Sequence, residues 1–493
     1  TDKAGILFNA SHTTQKEIWA GDRDVSAFGY SSTTLNTRLQ VSKATLSAAN
    51  QATMASLYGD RARWNLMTKE GTGTNTGLSQ FRARDAVADR YNYAPDNYLV
   101  TPQNRNSFYV QGFYNISDDL RFVTDFVLTN RKSAQELAPM PVTLGASFGE
   151  AASRVDIGAG NIYNPFKETL YGSAARGKAA LGVASYNPYA LQRRMVEAGP
   201  RNYAQNDLTY RGMVGLEGNF GDTSWTWDAH YIYGQNSQDV KTTGLLNLTR
   251  INQALSSNCT AANNCTPLNL FGGPGTITKE MLDYVTFDSI SSAGSQLKDY
   301  AFNTNGDLFD LPSGAVGLAI GIERREEDGF DNPDPLTVTG ESSGNQRDAT
   351  AGGFRLDEVY AEFRIPILEN LAITPAMRAS DHSSYGSNST KKVGMEYRVM
   401  DDLMLRATWA EGYRAPSLND LYAGNSDGYP SLTDPCNKLT AAGAPINDTP
   451  AGCAGVPSSY RQSNTQIRIT NVSSPDLKPE TSTSRTVGFV YSP

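Results

Sequence analysis

The sequence predicts an all-β fold, a transmembrane antiparallel β-barrel, and three observations carry that reading. Runs of alternating apolar and polar residues come in pairs, each joined by a polar turn of about two to four residues. The stretches between successive pairs mostly run for tens of residues, so tight turns gather at one end of the strands and long loops at the other, as in outer-membrane barrels. The mean hydropathy is only −0.44 although one face of each run is apolar. A barrel strand needs about 9–11 residues and keeps polar groups on its inner face, so low hydropathy and a membrane setting agree.

In chain order, the first clear pair spans 108–128. Phe108, Val110, Gly112, Tyr114 and Ile116 precede the turn Ser117-Asp118-Asp119, and Leu120, Phe122, Thr124, Phe126 and Leu128 follow it. At 211–233, Val214, Leu216 and Phe220 are answered across Gly221-Asp222-Thr223 by Trp225, Trp227, Ala229, Tyr231 and Tyr233. Successive strand side chains point to opposite faces, so these sets form an apolar wall backed by Arg211, Glu217, Asp228 and His230. Leu311-Pro312-Ser313-Gly314 turns into Val316, Leu318, Ile320 and Ile322. Val359, Ala361, Phe363 and Ile365 pair across Glu369-Asn370 with Leu371, Ile373 and Met377. Val393, Met395, Tyr397 and Val399 pair across Asp401-Asp402 with Leu403, Leu405, Ala407 and Trp409.

Strands are therefore expected at about 5–12, 105–116, 120–131, 205–220, 224–237, 298–310, 314–326, 354–366, 371–381, 390–399, 403–410 and 482–492. In lipid every backbone donor needs a partner, so either these twelve close on one another or further strands exist. Long loops fall at 13–104, 132–204, 238–297, 327–353 and 411–481, with a short one at 382–389. Helices are expected within them at 51–67 and at 279–285, where Thr278 is an N-cap. A soluble β-sandwich or propeller also alternates, but the lopsided loop lengths and the aromatic apolar face argue against it. The longest weakly apolar run, Gly314 to Ile322, is about half of what a spanning helix needs.

A net charge of −8 argues against a polyanionic partner such as nucleic acid. Four cysteines form two close pairs, Cys259/Cys265 and Cys436/Cys453, which suit small disulfide loops in an oxidising compartment. Four unrelated thiols are the alternative. No histidine lies near either pair, so no metal site is expected. Thr1-Asp2-Lys3-Ala4-Gly5 has no signal-peptide character, and because the strands demand export, the chain is expected to be trimmed or a fragment.

The run Leu403 to Tyr422, with Glu411-Gly412-Tyr413-Arg414-Ala415-Pro416-Ser417 at its centre, closely resembles a motif of TonB-dependent outer-membrane receptors. Pro475-Asp476-Leu477-Lys478-Pro479-Glu480-Thr481-Ser482 is similar to the segment leading into that family's next strand. Leu308 to Glu326 and Phe363-Arg364-Ile365-Pro366-Ile367-Leu368 are also similar to a large branch of the family. The resemblance implies a 22-stranded barrel and an N-terminal plug of about 150 residues that touches the TonB complex. It makes residues 1–493 an internal barrel portion without the plug. It implies residence in the bacterial outer membrane and TonB-coupled uptake of a bulky, scarce solute such as a ferric siderophore. An oligosaccharide-specific receptor, a passive porin and a surface adhesin are the alternatives.

Loop aromatics and arginines, namely Tyr163, Tyr171, Tyr186, Tyr189, Arg193 and Arg194, could stack on and pair with a bulky anionic ligand. Structural roles for the same tyrosines compete with that reading. Tyr422 joins them as a ligand-contact candidate, while Arg414-Ala415-Pro416 reads better as a structural turn. Trp225, Trp227 and Trp409 are expected in interfacial girdles. The pattern G-x-S-x-G occurs at 145–149, 340–344 and 424–428, with only His12, His230 and His382 in the chain, so no hydrolase is expected. Glu326-Glu327 beside Arg324-Arg325 reads as solvated charge, and no phosphate loop or nucleotide fingerprint is present. No enzyme activity and no cofactor are expected.

Overall fold

A computed structural model describes residues 3–31, 33–71, 73, 77–145, 155–437, 451–453, 456 and 467–493. Twelve strands form one antiparallel sheet in strict chain order. They are β1 (Ala4–Gln15), β2 (Gln103–Ser117), β3 (Leu120–Leu137), β4 (Arg201–Asn219), β5 (Thr226–Leu246) and β6 (Thr286–Leu311). β7 (Gly314–Asn332), β8 (Thr350–Leu368), β9 (Leu371–His382), β10 (Gly386–Met400), β11 (Leu403–Arg414) and β12 (Glu480–Tyr491) complete it. Each covers one of the twelve strands expected from the alternation. Among the described residues β1 pairs only with β2 and β12 only with β11.

The apolar face is the exposed one. Ile322 is 56% exposed and Phe489 70%, and Val214, Phe302, Val359, Met395 and Leu405 are exposed beside them. So large an apolar surface marks contact with lipid rather than water. Aromatic rings stand on this face at two heights. Trp227 lies 6.3 Å from both Phe220 and Phe302 near the tight turns, and further along the strands Tyr231 meets Tyr300 at 4.8 Å and Tyr233 meets Tyr210 at 6.0 Å. Four of the five tight-turn hairpins carry a register shift beside the turn, and Pro366 sits at one of them, a position that suits a residue without a backbone N–H.

The hydrophobic core lies at the loop end of this sheet and takes in Leu245 and Leu246 of β5. The loops following β1, β3 and β5 fold together into one unit at the loop end of the strands. Its centre is a five-stranded antiparallel sheet in the order Pro141–Gly145, Ala190–Arg194, Arg38–Ser42, Arg63–Thr68, Phe81–Ala83. Leu39, Trp64, Leu144 and Leu191 of this sheet pack with Ile251, Phe271 and Val285 of the third loop. Hydroxyl-to-backbone bonds join the loops further, Thr68 Oγ1 donating to the Phe271 carbonyl at 3.0 Å. The helix expected at 51–67 is instead Ala48–Tyr58, ended by Gly59 at φ 79°, after which Arg63–Thr68 is strand. Trp64, Leu66 and Met67 are buried in that sheet, and β-pairing overrides the helical reading of their spacing. The helix Lys279–Val285 begins as expected, the Thr278 hydroxyl accepting the Met281 N–H at 3.4 Å. No helix among the described residues is long and apolar enough to cross a membrane.

Candidate functional site

Alternation places Asp125, Arg131, Arg211, Asp228, Glu323 and Arg378 on the inner face of the sheet, where they pair across strands, whereas Lys298, Glu326, Arg324 and Asp357 share the outer parity of Tyr300 and Ile322 and pair there. Arg211 meets Asp125 at 2.5 Å, and Arg131 meets Asp207 at 2.7 Å, whose other oxygen accepts from Gln238 at 2.6 Å. The Tyr360 hydroxyl donates to Asn303 at 3.0 Å, and Asn303 donates to Asp228 at 2.9 Å. His230 lies 3.6 Å from Asp228 and 3.5 Å from Asp299. Arg378 bridges Glu323 at 3.1 Å and Glu358 at 3.3 Å, while Ser380 and Tyr413 donate to Glu358 at 2.5 and 3.3 Å. The result is a wet, mutually neutralised wall behind the lipid-facing one.

Above this wall the chain leaves β11 and crosses the inner face. Proline at 416 ends the strand, and Ser417 caps the short helix Leu418–Tyr422 in a reciprocal box with Asp420. The helix settles on Gly329 of β7 and Gly352 of β8, which are register partners. A Cβ on Gly352 would fall 2.3 Å from the Tyr422 ring, and one on Gly329 would fall 3.3 Å from Leu418. Tyr422 then reaches Ser384 at 3.0 Å. Gly352→Ala should cost about 1–3 kcal/mol by overpacking. Faster limited proteolysis at 415–424 would show it, and unchanged cleavage would contradict the docking.

Asp420 accepts the Ser417 N–H at 2.9 Å and its hydroxyl at 2.8 Å and lies 3.6 Å from Arg414. The Ser417 backbone and side-chain bonds, then the Arg414 charge, hold this carboxyl below the usual aspartate range. With a depressed folded pKa, its contribution is present above the unfolded value of about 3.9 and disappears as pH falls through the folded value. The stability difference between the parent chain and Asp420→Asn should therefore shrink between pH 6 and pH 3, as read by thermal melting. A constant difference would refute it.

Two adjoining recesses open beneath this helix, of about 610 and 590 Å³, and share Phe330, Asp331, Thr350 and Asn419. They lie between the upper inner ends of β4 to β8, the helix and the 333–349 loop. A larger concavity of about 1010 Å³ is lined mainly by apolar-face residues such as Phe122, Tyr231, Tyr300 and Phe302, so it faces lipid rather than the lumen.

These features identify a barrel but not its kind. The family model described as "TonB dependent receptor-like, beta-barrel" matches residues 147–493. The chain belongs to that family. Solved structures similar to this TonB-dependent receptor barrel include the siderophore receptor PirA from Acinetobacter baumannii, at 12% identity and a TM-score of 0.39, covering 87% of this chain and 45% of that one. A mutant of the ferric enterobactin receptor PfeA from Pseudomonas aeruginosa matches at 11% identity and a TM-score of 0.42, covering 100% of this chain and 47% of that one. The receptor barrel described here thus spans somewhat under half the length of these structures. No curated protein matches it.

Within the receptor barrel, the residues expected to meet ligand are not brought together at the recesses. Tyr189 is 2% exposed and donates to the Val155 carbonyl at 3.0 Å, and burial pushes its phenol pKa up. Arg193 is fully buried and donates to the Asn269 and Gly273 carbonyls and to Glu197. Arg194 donates to the Pro139 carbonyl and covers the Tyr91 ring at 5.0 Å. Tyr186, also buried, meets Tyr171 edge-on at 5.8 Å, and Tyr163 packs on the loop core. Tyr186, Tyr189, Arg193 and Arg194 are thus buried, and their partners are carbonyls, rings and the Glu197 carboxylate of the loop unit itself.

The motif residues act in the crossover. Glu411 accepts the Lys391 N–H at 3.1 Å, Gly412 pairs with Ser482, and Arg414 meets Glu480 at 2.7 Å. Cys259 is bridged to Cys265 and Cys436 to Cys453. Of the G-x-S-x-G segments, Gly340–Gly344 follows a one-turn helix, Gly424–Gly428 runs into a short strand, and 146–149 lie outside the described residues. Among the described residues no cluster of His, Cys, Asp or Glu could hold a metal ion. The polar recess side chains, among them Tyr203, Thr242, Ser289 and Ser291, escaped the sequence reading, whose signal was only their inward parity on strands extended beyond the expected ends.

Proposed function

We propose that this chain is the barrel part of an outer-membrane receptor that takes up a bulky, scarce solute with energy delivered by the TonB complex. Family membership supports the class, and the observation that carries the uptake reading is the polar recess held between the upper inner ends of β4 to β8, the 333–349 loop and the motif-built helix. Long loops would face the exterior and tight turns the periplasm. The outer edges of β1 and β12, unpaired among the described residues, would be closed in lipid by further strands. A plug inside the completed barrel would contact TonB and release the solute inward. A ferric siderophore is one candidate solute. A passive porin or a surface adhesin is the competing class, distinguished by independence from TonB. Uptake by the full-length receptor should vanish in cells lacking TonB, and uptake that persists there would defeat the proposal.

A further inference from the structure

The chemistry of the recess wall bears on which solute it would take, and the inference rests on the uptake reading above. Hydroxyl and amide side chains dominate the deeper recess: Tyr203, Thr242, Ser289 and Ser291 of the strands, facing Thr337 and Asn345 of the loop. Charge in the two recesses is limited to Arg211 and Arg347 against Glu327, Asp328, Asp331 and Asp334. Both cations are already engaged, Arg211 with Asp125 at 2.5 Å and Arg347 with Asp331 at 2.9 Å. Glu327 and Asp331 are likewise paired, with Arg325 and Arg347, so an anionic chelate entering here would meet the carboxylates of Asp328 and Asp334 and no uncommitted guanidinium among these lining residues. Removing an anion from water without a cationic partner is costly, whereas a neutral polyol can exchange its water contacts for hydroxyl and amide ones.

We infer that the recess between the upper inner ends of β4 to β6 and the 333–349 loop, lined by hydroxyls and carrying more carboxylates than cations, receives a neutral polyhydroxylated solute of the oligosaccharide class. Tyr203 supplies an aromatic surface for a sugar ring, and the two adjoining volumes accommodate several residues of a linear chain.

The test places a removable obstruction in the recess. All four cysteines of this chain are bridged, so Ser291→Cys adds a free thiol at a half-buried position of the wall, and the full-length parent treated with the same reagent controls for any thiol elsewhere. The full-length variant, folded in outer-membrane vesicles, is then capped with a bulky methanethiosulfonate reagent, so that folding precedes obstruction. Binding is measured to an array of neutral oligosaccharides, including maltohexaose, cellohexaose, xylohexaose and chitohexaose, and to a ferric tris-catecholate anion. The expected result is that at least one neutral oligosaccharide binds, capping weakens it at least tenfold relative to the uncapped sample, and the tris-catecholate does not bind. If no oligosaccharide binds, or if the anion binds and capping abolishes it, the inference is overturned while TonB-dependent uptake still stands. Uptake of the bound sugar in cells lacking TonB would instead overturn the receptor reading and leave the recess chemistry intact.

Discussion

Trp64→Ala is expected to loosen the loop unit by about 3–5 kcal/mol, the usual cost of deleting a large buried aromatic side chain. The indole is 1% exposed within the five-stranded sheet, and its Nε1 donates to the Gly59 carbonyl at 3.0 Å, closing the turn after the Ala48–Tyr58 helix. Removing it opens a cavity against Leu39, Met54 and Phe81 and leaves that carbonyl without its donor. Because this core joins the twelve-stranded sheet through the loop ends of β5 and β6, away from β7 to β11, the loss should stay local. Amide exchange at 38–42, 63–68 and 190–194 should accelerate by two to three orders of magnitude or more, roughly what such an energy implies, while β7 to β11 keep their protection. Uniform acceleration throughout would show that unit and barrel unfold together, and no acceleration would remove Trp64 from the core.

Leu405→Arg is the second large expected effect, at about 2–4 kcal/mol. Leu405 lies on the exposed apolar face of β11, with Leu403 toward the tight turn and Ala407 and Trp409 toward the loops, so the guanidinium would enter hydrocarbon. Arg406, one residue on, points to the inner face, where Glu396 is its register partner. Arg406→Ala should therefore cost much less. Denaturant midpoints for the receptor in phospholipid vesicles decide the matter, and comparable losses for the two variants would reverse the facing assignment.

The barrel was legible because its signal is redundant. Lipid on one side and water on the other impose the same two-residue alternation on every strand, and each tight turn fixes its register independently. The loop unit was not legible for the opposite reason. Its strands are about three to six residues long, and its core comes from loops far apart in the chain, Thr37 bonding Leu270 and Arg193 bonding Asn269. Leu39 and Val41 do alternate with polar neighbours, as do Val142 and Leu144, yet runs so short carry no weight without their partners. Arg193 and Arg194 show the limit for site prediction. A guanidinium fork serves a cluster of backbone carbonyls as readily as an external anion, and residue type alone does not distinguish them. The Glu411–Ser417 motif was legible as a turn, but its destination on paired glycines of β7 and β8 required the register.

β6 runs for 26 residues. At roughly 3.3 Å per residue and a tilt of about 40° it climbs about 65 Å, whereas the hydrocarbon band is only about 25 Å tall. About 40 Å of that climb thus lies outside the acyl region, shared between the two ends of the strand, and the part on the loop side carries the folded head. A partner too large to reach the bilayer would meet that head before it met the strands.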